Sequence, residues 1–310
     1  MAESHGLPTR TLGRTGLQVT QLGYGAMELR DAPRGRPIAD DQAERILRAV
    51  LDAGINYIDT SIDYGLSEER IGRYIGDRRG DYFLASKCGC AVGTPPPPRE
   101  ARQSHVFTRD NVVAGVEQSL RRLRTDYLDV VQFHASPDTA TLRDEGGLAA
   151  LLDLQRAGKV RFVGMSGTLP NLPEQIGSGV FDVFQIPYSA VQREHEELIS
   201  SAASSGAGTV IRGGVAKGAL AADKQDSSPR GLTPGDVLDA WQRAKLDDLL
   251  DGGSRSEFVL RFTLSHPDVH TTIVGTVDVG HLEANAAAAR KGPLPADVYA
   301  EAKRQLSAAL

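Results

Sequence analysis

Four residues carry the chemistry for which this chain is equipped: Asp59, Tyr64, Lys87 and His134. A tyrosine phenol is a poor acid near neutrality, with an ordinary pKa of about 10. An ammonium group beside it favours the phenolate and draws that value down toward the working range. A lysine buried alone tends to lose its proton, and a neighbouring carboxylate keeps it charged. An imidazole can donate a hydrogen bond that orients a carbonyl oxygen and stabilises charge developing there. Together the four groups make a device that protonates an oxygen while another species attacks the carbon bearing it. The sequence offers no evident nucleophile, so a hydride from a bound cofactor is the expected attacker. Taken singly, each has an ordinary structural role: Asp59 a turn cap, Tyr64 a rim aromatic, Lys87 a solvated cation, His134 a satisfied strand-end histidine.

Their joint meaning comes from the elements that position them. Short β-rich apolar runs alternate along the chain with longer segments of helical periodicity. The runs are Gln21–Tyr24, Asn56–Asp59, Tyr82–Ser86, Tyr127–Phe133, Phe162–Ser166, Val183–Ile186, Gly208–Ile211 and Thr271–Val274. The helical segments are Asp41–Ala53, Glu68–Ile75, Arg109–Arg124, Leu148–Ala157, Leu172–Ile176, Glu194–Ala203, Phe258–Leu264 and Gly280–Ala289. Eight of each is the count of an α/β protein of the (β/α)8 TIM-barrel type. A doubly wound sheet would open with a glycine-rich phosphate loop, but Gly23-Tyr24-Gly25-Ala26-Met27-Glu28 lacks the third glycine and leads into a polar loop. Helix ends agree: Ser67 and Thr108 precede helices with acidic first turns, and Gly54, Gly158 and Gly206 follow helices where a left-handed cap is wanted. In a barrel, functional side chains gather at the C-terminal ends of the strands. Asp59 ends the second run, Lys87 follows the third and His134 ends the fourth, so neighbouring strands bring them to one rim. Tyr64, five residues past Asp59, lies in the loop over it.

Three features lie outside the eight units. Residues Thr9–Thr20 read as a hairpin closing one end of the barrel, Thr233–Leu250 has helical spacing, and Pro295–Leu310 reads as a final outer helix. Trp241 is placed either in the pocket or in the core. With no interdomain linker, residues 1–310 are expected to form a single domain.

Composition narrows the function. Hydrophobic residues at 40% supply a sizeable core, and the balance of 35 basic against 40 acidic residues argues for solubility and against a nucleic-acid surface. No apolar run is long enough to span a bilayer, and Met1 to Arg10 does not read as a secretory signal, so a cytoplasmic protein without a membrane partner is expected. The only cysteines, Cys88 and Cys90, are too close for an easy disulfide, and two thiols alone make a poor metal site, so no metal centre is expected. Cys88, next to Lys87, is either a redox sensor or a buried thiol.

The stretch Gly54-Ile55-Asn56-Tyr57-Ile58-Asp59-Thr60-Ser61-Ile62-Asp63-Tyr64-Gly65, followed by Glu68 and Gly72, resembles the signature of the aldo-keto reductases. Ser86-Lys87 and Val131-Gln132-Phe133-His134-Ala135-Ser136-Pro137 resemble the second and third catalytic segments, and the likeness runs from Leu12-Gly13 to Asn285. It implies a (β/α)8 barrel and hydride transfer from NAD(P)H, with Tyr64 as general acid, Lys87 and Asp59 tuning it, and His134 positioning the carbonyl. The substrate, an aldehyde, ketone or sugar, is expected against Tyr64, His134 and Met27, with further contacts from the loops after strands one, three and four. The tail after Asn285 is shorter than the loop by which some members recognise bulky substrates.

The same resemblance assigns the cofactor site to Ala26, Met27, Asp59, Ser166, Gln185, Arg212, Gly213, Val215, Lys217, Gly275, Thr276, Val277, Asp278, His281 and Asn285. Ser166 and Gln185 hold the nicotinamide carboxamide, Arg212 stacks on the ring, the loop with Lys217 wraps the pyrophosphate, and Asn285 meets the adenine. Backbone amides at the helix start near Asp278 are placed to receive a phosphate. Two departures concern the cofactor. Gly167 stands where the family pairs an asparagine with the serine, and Gly275 and His281 stand where strongly NADP-selective members carry a lysine and an arginine. NADPH is favoured and NADH is a credible second cofactor, because Asp278 adds negative charge and His281 holds a phosphate less firmly than an arginine fork. Two other readings cover part of the pattern: a barrel lyase with Lys87 as Schiff-base nucleophile, and a nicotinamide-binding regulatory subunit with little turnover.

Overall fold

The computed structural model describes residues 6–32, 35–93, 105–218, 220 and 233–309, with the side chains of Lys217 and Pro234 left out. A hairpin comes first, β1 (Thr9–Thr11) and β2 (Gln18–Thr20), paired antiparallel with Arg10 opposite Val19. Eight parallel strands follow: β3 (Leu22–Gly25), β4 (Tyr57–Asp59), β5 (Phe83–Cys88), β6 (Leu128–Phe133), β7 (Val160–Ser166), β8 (Val183–Pro187), β9 (Gly208–Arg212) and β10 (Thr271–Val274). They close into a barrel in sequence order, with β10 pairing β3. The helices are α1 (Asp40–Asp52), α2 (Ser67–Tyr74), α3 (Arg109–Leu123), α4 (Thr139–Asp144), α5 (Gly147–Arg156), α6 (Leu172–Gly177), α7 (Glu196–Ser204), α8 (Pro234–Arg243), α9 (Arg255–Leu264), α10 (Val279–Arg290) and α11 (Ala296–Ala309). No described helix is long and apolar enough to cross a membrane. All eight expected βα units are present.

The barrel is plugged from below. Leu12, Leu17 and Val19 of the hairpin pack on Tyr57, Ala85, Val130, Val183 and Val210, one from each of five strands. Leu12 is fully buried, and burying a leucine contributes roughly 1.5–3 kcal/mol. The lower end is thereby shut, and the strand C-termini are the end left for chemistry.

Several local expectations shift. The segment Thr233–Leu250 is not one helix. A capping box of Thr233 and Asp236 starts α8, and Lys245, at φ 51°, breaks the pattern before a single 3-10 turn over Leu246–Leu249. Trp241 belongs to the core, fully buried, edge-on to Phe258, its Nε1 donating to Asp247 at 2.9 Å. The loop after the fourth barrel strand holds α4, begun by Asp138, whose carboxylate accepts the Thr141 amide at 2.7 Å. Thr108 makes no side-chain cap, and Ser67 lies inside α2, where its hydroxyl donates to the Ala26 carbonyl. Tertiary partners claimed that hydroxyl before the helix could.

Candidate active site

Asp59 is the hub of the rim. Its Oδ1 accepts Lys87 Nζ at 2.6 Å, and its Oδ2 accepts amide protons from Gln132 at 3.0 Å and Gln185 at 2.9 Å. All four residues are buried. The strands dictate this convergence, because Asp59 lies at the end of β4, Lys87 on β5, Gln132 on β6 and Gln185 on β8, with every side chain turned inward. Lys87 also donates to the Thr60 carbonyl at 2.8 Å, and its Nζ lies 4.9 Å from the centre of the Tyr64 ring. Burial by itself would lower the Lys87 pKa, but Asp59, Tyr64 and Asp63 outweigh it and the net shift is upward. The ammonium is therefore permanent at neutral pH.

Tyr64 departs from the expected downward tuning. Burial raises its pKa, Lys87 pulls it down, Asp59 and Asp63 push it back up, and the result is about 12. Desolvation wins because the carboxylates partly cancel the ammonium that would favour the phenolate. Its phenol proton stays in place through the neutral range and remains available to give away.

His134 sits edge-on to the Tyr64 ring, with centroids 6.3 Å apart. Burial lowers its pKa, Asp63 opposes, and Lys87, His105 and Arg212 lower it further, to about 3. The imidazole is neutral. Its Nδ1 faces Cys90 Sγ at 3.2 Å and the Asp63 carboxylate at 3.7 Å, which leaves Nε2 for a bound molecule. The turn beyond it is strained, with Ala135 and Ser136 at φ 67° and 54°. It is held by Asn171, donating to the Ser136 carbonyl at 2.9 Å, and by Gln175, donating to the Pro137 carbonyl at 2.6 Å.

Asp59, Tyr64, Lys87 and His134 are thus brought together. Ala26 and Met27 lie on a 3-10 turn directly after β3. Ser166 ends β7 and Gln185 lies on the neighbouring β8; both are buried, with Ser166 Oγ 3.4 Å from Gln185 Oε1. A contact that long leaves both atoms hydrogen-bonding capacity for a carboxamide. The charge of Arg212, at the end of β9, is felt by both Tyr64 and His134. Gly213 and Val215 follow in the loop, and at Gly213 nothing stands within 4 Å of a Cβ position, so the backbone is open to approach. The side chain of Lys217 lies outside the described residues. Gly275, Thr276 and Val277 lead from β10 to α10, with His281 and Asn285 on its first turns. These residues suit a nicotinamide cofactor along the β7–β10 side of the rim.

Both glycine departures lie in crowded places, and at Gly275 the neighbour is backbone. A Cβ at Gly167 would stand 2.7 Å from Leu172 Cδ1 and 2.9 Å from Gln175 Oε1, so an asparagine there would have to displace the ends of two side chains, one of them helping to hold the His134 turn. A Cβ at Gly275 would stand 2.6 Å from the Gly25 carbonyl, which excludes a lysine unless β3 shifts. The start of α10 is also partly taken: Asp278 caps it, accepting the His281 amide at 2.9 Å. Sequence reasoning missed Gln132, Asp63, Cys90 and His105. Only Gln132 left a signal, a polar residue at an inward position of an apolar strand.

A parallel barrel bearing a charged lysine, a protonated phenol and a neutral imidazole on its C-terminal rim is built as an oxidoreductase for carbonyl chemistry. The chain belongs to the Aldo/keto reductase family, whose profile matches residues 21–306. It is 28% identical over 299 residues to an L-galactose dehydrogenase of Arabidopsis thaliana, covering 90% of this chain and 87% of the relative. To a D-threo-aldose 1-dehydrogenase of a Pseudomonas species it is 25% identical over 312 residues, covering 92% and 94%. Among solved structures it superimposes on the aldo-keto reductase AKR11C1 from Bacillus halodurans, in its holo form, with a TM-score of 0.82, 27% identity and 96% of each chain covered. The protein is an oxidoreductase of the nicotinamide-dependent kind.

Proposed function

We propose that this enzyme interconverts a small carbonyl compound and its alcohol, with a sugar as the first substrate class and NADPH favoured over an also accepted NADH. The observation that carries this reading is the buried Asp59–Lys87 pair at 2.6 Å, set 4.9 Å beneath the Tyr64 ring. In reduction, the bound nicotinamide supplies the hydride to the carbonyl carbon. His134 Nε2 donates a hydrogen bond that orients the carbonyl oxygen. Tyr64 gives that oxygen its phenol proton, and Lys87 stabilises the phenolate left behind. In oxidation the phenolate takes the hydroxyl proton back. Ser166, Gln185 and Arg212 hold the nicotinamide end, while the loop from Gly213 and the start of α10 hold the rest. The sugar preference follows the two curated relatives, both named for sugar dehydrogenation. A Schiff base on Lys87 is disfavoured by its raised pKa and tight carboxylate, which withhold the free amine that chemistry requires.

The test follows nicotinamide absorbance with both cofactors across aldoses, aldehydes and ketones. Turnover is expected with at least one aldose, and tight cofactor binding without turnover on any of them would overturn the reading. Asp278 offers a finer check. Asp278→Ser keeps a cap but removes the charge facing an incoming phosphate. Charges at helix starts are worth about 0.3–1 kcal/mol, so the kcat/KM ratio of NADPH to NADH is expected to rise roughly two- to fivefold. An unchanged ratio would place the 2′-phosphate away from α10.

A further inference from the structure

We propose that Cys90, His105 and His134 form a site for a soft divalent transition-metal cation, Zn2+ being the type, and that the bound cation arrests turnover. Each offers one ligand atom, a thiolate sulfur or an imidazole nitrogen, and the three atoms lie within 4.8 Å of one another. Cys90 Sγ and His134 Nδ1 are already 3.2 Å apart. Zinc bonds of about 2.3 Å to sulfur and 2.0–2.1 Å to nitrogen set tetrahedral ligand separations of roughly 3.4–3.6 Å. Closing the three atoms onto a cation therefore shortens their separations by at most about 1.4 Å.

The backbone is built to hold this arrangement. Cys90 and His105 face each other across an isolated antiparallel bridge, continued by Val106 N donating to the Gly89 carbonyl at 2.7 Å. Asn111 clamps both segments: its Nδ2 donates to the carbonyls of Cys90 at 3.1 Å and Val106 at 2.8 Å, and its Oδ1 accepts Val92 N at 3.0 Å. The third segment is tied in by His134 N, donating to the Cys88 carbonyl at 3.0 Å. Asp63, with Oδ1 at 3.7 Å from His134 Nδ1, adds negative charge beside the three ligands. One sulfur and two imidazoles select zinc, cobalt or copper over magnesium or calcium. On binding, the Cys90 thiol releases its proton to solvent as the metal–sulfur bond forms. Three protein ligands leave a fourth position open to water or a substrate oxygen.

The arrest rests on the role given to His134 above; the binding does not. Coordination at Nδ1 pins the His134 ring against Cys90 and His105, so that its Nε2 can no longer adjust to a carbonyl oxygen over Tyr64 as the reaction proceeds. It also sets a cation where Lys87 and Arg212 already supply positive charge.

The experiment uses tag-free full-length protein and Co2+ as the spectroscopic probe. One Co2+ per chain is expected, with a thiolate-to-cobalt charge-transfer band and the visible bands of a tetrahedral ion. Cys90→Ser should lose the charge-transfer band, His105→Ala should bind at least tenfold more weakly, and Cys88→Ala should keep both properties. Zn2+ should displace the cobalt and lower wild-type turnover at least tenfold, reversibly on chelation. Each variant is compared with itself with and without metal, after its melting curve confirms folding. No band in the wild type, or an undiminished one in Cys90→Ser, overturns the site. A filled site with unchanged turnover overturns the arrest. If no substrate turns over even without metal, the proposed function fails, and the cobalt band still decides the site.

Discussion

Tyr64→Phe is expected to lower the rate of carbonyl reduction by about 10²–10⁴-fold, the usual worth of a positioned proton donor. The substitution removes one hydroxyl and leaves the ring against His134 and Lys87, so folding and cofactor affinity should hardly change. The loss should appear in kcat as well as kcat/KM, because proton transfer to the oxygen matters only as the reaction proceeds. The pH dependence adds an independent constraint. With Tyr64 at about 12 and His134 at about 3, neither group titrates in the neutral range. Reduction would fall only as pH rises toward the Tyr64 value and the phenol loses its proton, or falls toward the His134 value and the ring gains one. Between about pH 5 and pH 9 neither group should bend the kcat/KM profile. Wild-type turnover in Tyr64→Phe would show that another group delivers the proton, and a neutral limb that disappears with the hydroxyl would show that Tyr64 titrates far below about 12.

Lys87→Met should have the largest effect on stability. It strips Asp59 of its only cationic partner among the described residues while leaving the carboxylate buried, with two amide donors from Gln132 and Gln185. Removing one partner of a buried ion pair costs about 3–5 kcal/mol, chiefly through the charge left uncompensated. The double variant Lys87→Met/Asp59→Asn removes both charges and keeps an oxygen to accept from the two glutamines, so it should be clearly more stable than Lys87→Met alone. Urea midpoints of the wild type, both single variants and the double variant form the cycle that measures this. Additive midpoints would mean that the two groups are not coupled, and with that the tuning assigned to the pair would go.

Legibility in the amino-acid sequence differs from residue to residue. The alternation of apolar runs and amphipathic segments placed the strand ends holding Asp59, Lys87 and His134, because strand order in a (β/α)8 barrel follows chain order and neighbours in sequence become neighbours on the rim. The hairpin from Thr9 to Thr20 was readable for the same reason, as its signal is local. Trp241 was not, since helical spacing is identical for a residue facing a pocket and one facing Phe258. The break at Lys245 was hidden too, as left-handed backbone at a lysine has no compositional mark.

The site divides along the same line. Residue type and order by themselves determined that a carboxylate, a phenol, an ammonium and an imidazole meet, since each sits at a position that the barrel repeats. Only the tertiary structure decided their charge states. Tyr64 ends above its ordinary pKa because burial and two carboxylates together outweigh the Lys87 ammonium and the Arg212 guanidinium, a balance of distances that no linear spacing encodes. The two cysteines show the same division. Counted along the chain, they were two thiols too close for an easy disulfide and too few for a metal site. In the fold, the bridge opposite His105 and the end of β6 bring two imidazoles to Cys90, while Cys88 stays buried in the core. Ligand sets are assembled by backbone pairing between segments remote in sequence, and that pairing exists only once the barrel has closed.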